Sequence, residues 1–283
     1  MSIDVTWERE PGALEIEPRD PAIVRRRLLA IRGHVLPFVA PLGLLLAWQV
    51  LTSNGKVSPQ ILPEPIQVVR AALHLAHTEL LADIAISAKR AFLGFLIGGG
   101  IGLLLGLLNG LVKMSEEALD STIHMARTIP HLALIPLVIL WFGIGEETKV
   151  LLVALGVFFP MYLNTFHGMR AVDPGLIETG KVYGLRGFRL FRQVLLPAAT
   201  PNILVGLRFS LGIMWITLIV AETVAADSGI GYITTNAREY MQTDVMLVGI
   251  LIYAFLGKGA DLTARLLEHV LLPWHPTYGR TSR

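Results

Sequence analysis

The chain has 283 residues, 53% of them hydrophobic and only 16% charged, whereas soluble domains carry about 25% charge. With a mean hydropathy of +0.59, much of it has no water to face. The balance of 24 Lys+Arg against 22 Asp+Glu is too even to indicate a nucleic-acid partner, and the absence of cysteine excludes disulfides, thiolate metal sites and a cysteine nucleophile. This is the composition of a membrane protein.

Residues 1–32 are polar and close on Arg25, Arg26, Arg27 and Arg32. They lack the short apolar core and small-residue cleavage site of a secretory signal, so they read as an uncleaved cytoplasmic arm. For residues 1–20 a tail with no role is the alternative. Apolar runs long enough to approach the roughly 20 residues that a spanning helix needs then recur at 34–52, 91–112, 129–145, 149–168, 204–226 and 245–264. The sequence therefore predicts an all-α polytopic membrane protein with six transmembrane helices. Its parts are a cytoplasmic N-terminal arm (1–32), a transmembrane domain (33–276) and a short tail (277–283). Residues 64–82 place Ile66, Val69, Leu73 and Leu80 among Gln67, Arg70, His74 and His77, the pattern of an amphipathic helix lying on the membrane or against the bundle. Gly94, Gly98, Gly99, Gly100, Gly102, Gly106 and Gly110 recur within the second run, small residues at a spacing that lets helices approach closely.

Lys/Arg placement sets the orientation. With the arginine arm inside, six spans leave both termini in the cytoplasm. The 169–203 segment is then also inside, with Arg170, Lys181, Arg186, Arg189 and Arg192. The segment 53–90 is a mild exception, outside yet carrying Lys56, Arg70, Lys89 and Arg90, the last two near a membrane boundary.

The 169–203 segment is the informative one. Asp173 before Pro174 marks a helix start, an acceptor at the N-cap followed by a residue with fixed φ and no donor. Gly184 is placed to end that helix in the left-handed conformation. A second short helix is expected over about 188–195, with Pro197 stopping its extension. A loop that merely joins spans needs roughly 2–8 residues, so this longer ordered segment, aromatic through Phe188 and Phe191, is expected to bind a partner outside the membrane.

Glu178, Gly184 and Val194-Leu195-Leu196-Pro197 resemble the E-A-A-x3-G-x9-I-x-L-P cytoplasmic motif of binding-protein-dependent ABC importer permeases, with Thr179 and Gly180 at the two alanine positions. Three further stretches, Arg127–Pro136, Trp141–Gly145 and Glu222-Thr223 with Ser228–Tyr232, look like the nitrate/sulfonate/taurine/bicarbonate branch. Asn164–Gly168 and Asn236–Glu239 are most similar to its aliphatic sulfonate members. The resemblance covers about 35–276 and implies a type I ABC importer permease fold in the bacterial inner membrane. It also implies a second copy of the chain, two ATP-binding subunits carrying ATP and Mg, and a periplasmic solute-binding protein. In that family the segment holding Glu178, Thr179, Gly180, Gly184, Phe188, Phe191, Leu196 and Pro197 couples to the ATPase. Tyr232, Asn236, Arg238 and Glu239 are then expected to dock the binding protein. The cargo expected is an aliphatic sulfonate, with taurine, nitrate or bicarbonate as alternatives.

The chain has no G-x4-G-K-[ST] phosphate loop, so hydrolysis by that route belongs to a partner, and it is not expected to be an enzyme. No metal site is expected either, His74 and His77 being the best-spaced pair. An ion channel or an intramembrane enzyme is the different-class reading. The channel leaves the ordered cytoplasmic segment unused, and the enzyme lacks a nucleophile–base pair. Polar residues inside spans usually face the bundle interior or a wet cavity. Asn164, His167, Arg208, Trp215 and Thr217 are therefore candidates for the translocation path, with helix–helix hydrogen bonds as the other reading. Arg208 could equally snorkel to the inner interface, and Lys258 and Asp261 could simply pair.

Overall fold

The computed structural model describes residue 36 and residues 39–55, 57–78 and 80–274. The arginine arm, its boundary at 32, Lys56 and the tail 277–283 lie outside the described residues. Two compact units are present, residues 1–57 and 58–283. In the first, α1 (Val39–Ser53) is an apolar helix within the first apolar run.

In the second unit α2 (Pro65–Ala76) occupies the amphipathic stretch. Its start is a reciprocal cap, with the Gln67 side chain accepting from the Glu64 N–H at 3.2 Å. Four long apolar helices follow: α3 (Leu80–Leu111), α6 (Glu146–Arg170), α9 (Leu196–Ala225) and α11 (Thr243–Leu271). Between α3 and α6 lie α4 (Lys113–Ala126), a 3₁₀ turn (His131–Leu134) and α5 (Ile135–Phe142).

The six expected spans are not matched one for one among the described residues. Four helices there are long and apolar enough to cross, or five if α4 and the His131–Phe142 segment form one broken span bent by 78°, with α1 a shorter apolar helix besides. The 129–145 run is no straight helix because Pro130 precedes the 3₁₀ turn, Pro136 opens α5, and Gly143 at φ 74° closes it. At 1.5 Å per residue, the twelve residues from His131 cover roughly 18 Å of a core about 30 Å thick. By contrast α3 begins eleven residues before the run that marked it and, at roughly 48 Å, is longer than that core is thick.

The glycine spacing has its expected consequence. α3 packs most extensively on α6. A Cβ added at Gly94, Gly102, Gly106 or Gly110 would meet Val153 Cβ, Phe158 O, Thr165 Cβ or Met169 Cβ at 2.5–2.7 Å, whereas Gly100 faces nothing within 4 Å. In a bilayer, where lipid is as apolar as leucine, this close backbone approach is what holds two helices together. The buried core continues through Val153, Val157, Met214, Leu218, Ile230 and Tyr253, which join α6, α9, α10 (Ile230–Glu239) and α11.

The expected second short helix is not a separate element. After α7 (Pro174–Val182), residues 187–224 run as one helix, built from α8 (Gly187–Leu190), a π turn over Phe191–Leu195, and α9. Pro197 sits in its path without ending it. Proline removes one i→i−4 bond and crowds the carbonyl four residues back, and a wider turn relieves that crowding. Here the Leu196 N–H bonds Phe191 O, five residues back.

Candidate functional site

At one end of the bundle α7 and α8 form a hairpin whose turn is set by local chemistry. Asp173 accepts a hydrogen bond from the Gly175 N–H at 2.8 Å. At the far end the Gly184 N–H bonds Lys181 O (2.9 Å) and the Leu185 N–H bonds Gly180 O (3.0 Å), the paired bonds of a Schellman cap. Gly184 takes φ 79° and Gly187 φ 52°. Gly180 is buried under the second arm, where a Cβ would meet Leu190 Cδ1 at 2.8 Å and Val194 Cγ2 at 3.1 Å. That is why the position admits only a small residue.

The hairpin separates an anchor from a free face. Phe191 is half-buried against the cluster of Met169, Val172 and Ala199, which ties the hairpin to α6 and α9. Glu178 and Thr179 are exposed, and the Thr179 hydroxyl donates to Gly175 O. Leu196 and Pro197 are half-buried. Val182, Tyr183 and Phe188 are 85%, 82% and 73% exposed, an apolar tip that no described residue covers. The sequence singled out Phe188 but not Val182 or Tyr183, although both flank Gly184. Beside the hairpin is a cavity of about 400 Å³ lined by Gly180, Tyr183, Val194, Pro197 and Trp274, so the C-terminal end of α11 returns to the same end of the bundle.

The polar residues proposed for the middle of the bundle do not converge. Asn164 donates to Pro160 O on its own helix at 2.8 Å and packs over Gly206, while His167 is exposed and stacks obliquely on Phe166. Arg208 is held on α11 by Asp261 (2.9 Å) and Glu268 (3.3 Å). Lys258 does pair with Asp261, at 3.5 Å, and the same carboxylate also takes Arg208 (2.9 Å) and Arg265 (3.0 Å). Thr217 is fully buried, its hydroxyl 3.0 Å from His131 Nε2, and both lie over Gly156. Trp215 is buried with its Nε1 lacking a hydrogen-bond partner.

The opposite end of the bundle, roughly 36 Å away along the 25-residue α6, carries a denser arrangement that sequence reasoning missed. Arg90 on α3 is 2% exposed and spends every guanidinium N–H. It grips Glu146 through Nε (2.6 Å) and Nη2 (2.5 Å), Glu222 through Nη1 (2.8 Å), and Ser228 through its carbonyl and hydroxyl. Glu222, also buried, further accepts from Ser87, Tyr253 and the Gly231 N–H. Asp83 and Ser87 take the N–H groups of Gly229 and Ile230. The donors left over at the start of α10 are thus met by side chains of α3 and α9, with negative charge at the positive end of the helix. Gly229, at φ 102°, has room for no Cβ: Arg90 Nη1 and Glu222 Oε1 would both lie at 2.6 Å. The sequence signal was an opposite pair, Arg90 and Glu222, each bordering an apolar run. Arg90 is also the exception in the charge pattern, and burial in this cluster accounts for it.

From this clasp α10 runs out with Ile230, Ile233 and Ala237 buried. Tyr232 and Asn236, one turn apart, line a groove of about 660 Å³ with Gln67, Arg70 and His74 of α2. Arg238 and Glu239 are exposed and point away from it. Among the described residues no group of three or more metal-ligating side chains is present.

A bundle of long apolar helices bearing an ordered, apolar-tipped hairpin outside its spans is a multi-pass membrane transport component. The chain belongs to the family of the binding-protein-dependent transport system inner membrane component, whose model matches residues 68–271, and it is an ABC transport permease. It is 55% identical over 246 residues to SsuC of Escherichia coli K12, named as an aliphatic sulfonates transport permease protein, covering 87% of this chain and 94% of that one. SsuC of Bacillus subtilis 168, with the same name, is 46% identical over 90% of this chain and 91% of its own length. The taurine transport permease TauC of E. coli K12 is 35% identical over 82% and 86%. The resemblance first carried by Glu178 to Pro197 is therefore met.

Proposed function

We propose that the chain is the membrane-spanning half of an ATP-driven importer of aliphatic sulfonates. Two copies would work with two ATP-binding subunits, which carry the ATP and Mg, and with a periplasmic solute-binding protein that delivers cargo. The choice of sulfonate over taurine, nitrate or bicarbonate rests on the 55% identity to the E. coli sulfonate permease against 35% to the taurine permease. Coupling is assigned to the hairpin: Glu178, Thr179, Gly180, Gly184, Phe188, Leu196 and Pro197 present or support the surface that enters the ATPase, with Phe191 as the anchor. Its exposed Val182, Tyr183 and Phe188 are the observation that carries this assignment, since apolar side chains standing in water imply a partner.

The hairpin end then faces the cytoplasm, together with the C-terminal end of α11, and both termini lie on the cytoplasmic side of the inner membrane. The domain bounds 1–32, 33–276 and 277–283 belong to the same reading. At the outer end, Tyr232, Asn236, Arg238 and Glu239 of α10 dock the binding protein. For the path, Asn164 and His167 offer donors along α6, while Arg208 is held by Asp261 and Glu268, and Trp215 and Thr217 are buried and would line it only after the helices shift. Reconstitution of the permease with its ATPase and binding protein in vesicles tests the whole. ATP-dependent uptake of ethanesulfonate, poorly competed by taurine, is the expected result. Uptake competed equally by taurine would move the cargo assignment, and no uptake with any anion would end it.

A further inference from the structure

The Arg90 clasp belongs to neither the hairpin nor the groove, yet it joins the elements that carry them. Its guanidinium sits between Glu222 and Ser228, which bracket the entry to α10, and Glu146, the first residue of α6. The helix α6 ends at Arg170, three residues before the cap of α7. One side chain therefore ties the start of the groove helix to the rod formed by α6, a continuous helix with Pro160 within it and the coupling hairpin at its other end.

The bonding makes this tie stiff. A guanidinium fork held bidentately by one carboxylate and simultaneously by a second has no rotational freedom left, and a lysine ammonium cannot reproduce it. Gly229 and Gly231 allow the backbone of the turn to touch Glu222 directly, so α10 has no slack against the clasp. Glu146 is the only strongly exposed partner, at 59%, and it is steadied from within α6 by Lys149 Nζ at 2.9 Å.

We propose that Arg90 is a positioning residue for coupled transport: by clamping α10 to the Glu146 end of α6, it makes engagement of the binding protein move the rod that carries the coupling hairpin. This rests on the reading of α10 as the docking helix and α7 as the coupling helix.

The test uses the reconstituted permease–ATPase complex with loaded binding protein, and measures basal hydrolysis, maximal stimulated hydrolysis and the half-saturating concentration of binding protein. Arg90→Gln leaves Glu222 buried without its cation and can fail to fold. The decisive variant is therefore Glu146→Gln/Lys149→Gln, which preserves the Arg90–Glu222 pair and the net charge while removing the charge by which α6 meets Arg90. It should keep basal hydrolysis and half-saturation while losing maximal stimulation by about fivefold or more, the lower range of typical coupling between sites. Glu147→Gln, the neighbouring carboxylate, should match the unaltered protein. A merely structural role would lower basal and stimulated rates together, and that outcome overturns the proposal, as does a double variant indistinguishable from Glu147→Gln. A photoreactive cross-linker attached to the thiol of Asn236→Cys and irradiated with loaded binding protein separates the two readings. If it forms no cross-link to the binding protein, the docking assignment fails; if it does while the double variant behaves normally, the Arg90 link alone fails.

Discussion

Arg90 Nη1 lies 2.8 Å from Glu222 Oε1, and with side chains 2% and 0% exposed neither reaches solvent. Removing one member of such a pair strands the other charge, at a cost of about 3–5 kcal/mol, whereas removing both is often nearly neutral. Arg90→Met should therefore lower the unfolding temperature of the detergent-solubilised permease sharply, and Arg90→Met/Glu222→Gln should recover most of the loss. Additive destabilisation in this double-mutant cycle would mean that the two charges are not coupled.

Gly184 supplies the second prediction. A β-branched residue at φ 79° costs about 1–2 kcal/mol from backbone strain alone. Gly184→Val should leave the permease in the membrane, since the position lies outside the spans, but release the ATPase on purification or uncouple hydrolysis from uptake. Gly187→Val should act similarly, because φ is 52° there. The proper control is Arg186→Val, exposed and already extended at φ −141°. Coupled uptake by the Gly184→Val permease would remove the hairpin from the mechanism.

The α3–α6 seam predicts a sharp contrast between two glycines two residues apart. Gly102→Val drives a side chain into Phe158 O and should cost at least the roughly 1–3 kcal/mol of an overpacked core, seen as lost membrane accumulation. Gly100→Val enters open space and should accumulate normally. Equal yields would mean that the seam is not the stabilising contact.

At the groove end, charge reversal Arg238→Glu should weaken stimulation by loaded binding protein while leaving basal hydrolysis alone. The Arg238 side chain is exposed and makes no hydrogen bond or ion pair among the described residues, so the structural cost is confined to reversing a charge in the last turn of α10, about 0.3–1 kcal/mol. Unchanged stimulation would confine docking to the groove face of Tyr232 and Asn236.

Sidedness is checked by a reporter active only outside the cytoplasm, fused after Arg283. Silence is expected, because Trp274 shares a cavity with Gly180 and Pro197 of the coupling hairpin. Activity there would place the hairpin outside and contradict coupling to ATP.

What could be read from the sequence alone was governed by short-range rules. Composition set the solvent, since 16% charge cannot clothe a soluble domain of this size. The hairpin was legible at both ends because Asp173-Pro174 and Gly184 act on backbone groups within a few residues of themselves. The glycine ladder was legible because four-residue spacing puts small residues on one helical face. Tertiary structure decided the rest. Hydropathy could not show that Pro130 and Pro136 break the third run, or that a π turn carries the chain through Pro197, because apolar content is the same in a straight helix and a broken one. Nor could it pair Arg90 with Glu146 and Glu222, which lie 56 and 132 residues away. A buried charge declares its need for a partner in the sequence, but which carboxylate answers it is set only when the helices pack.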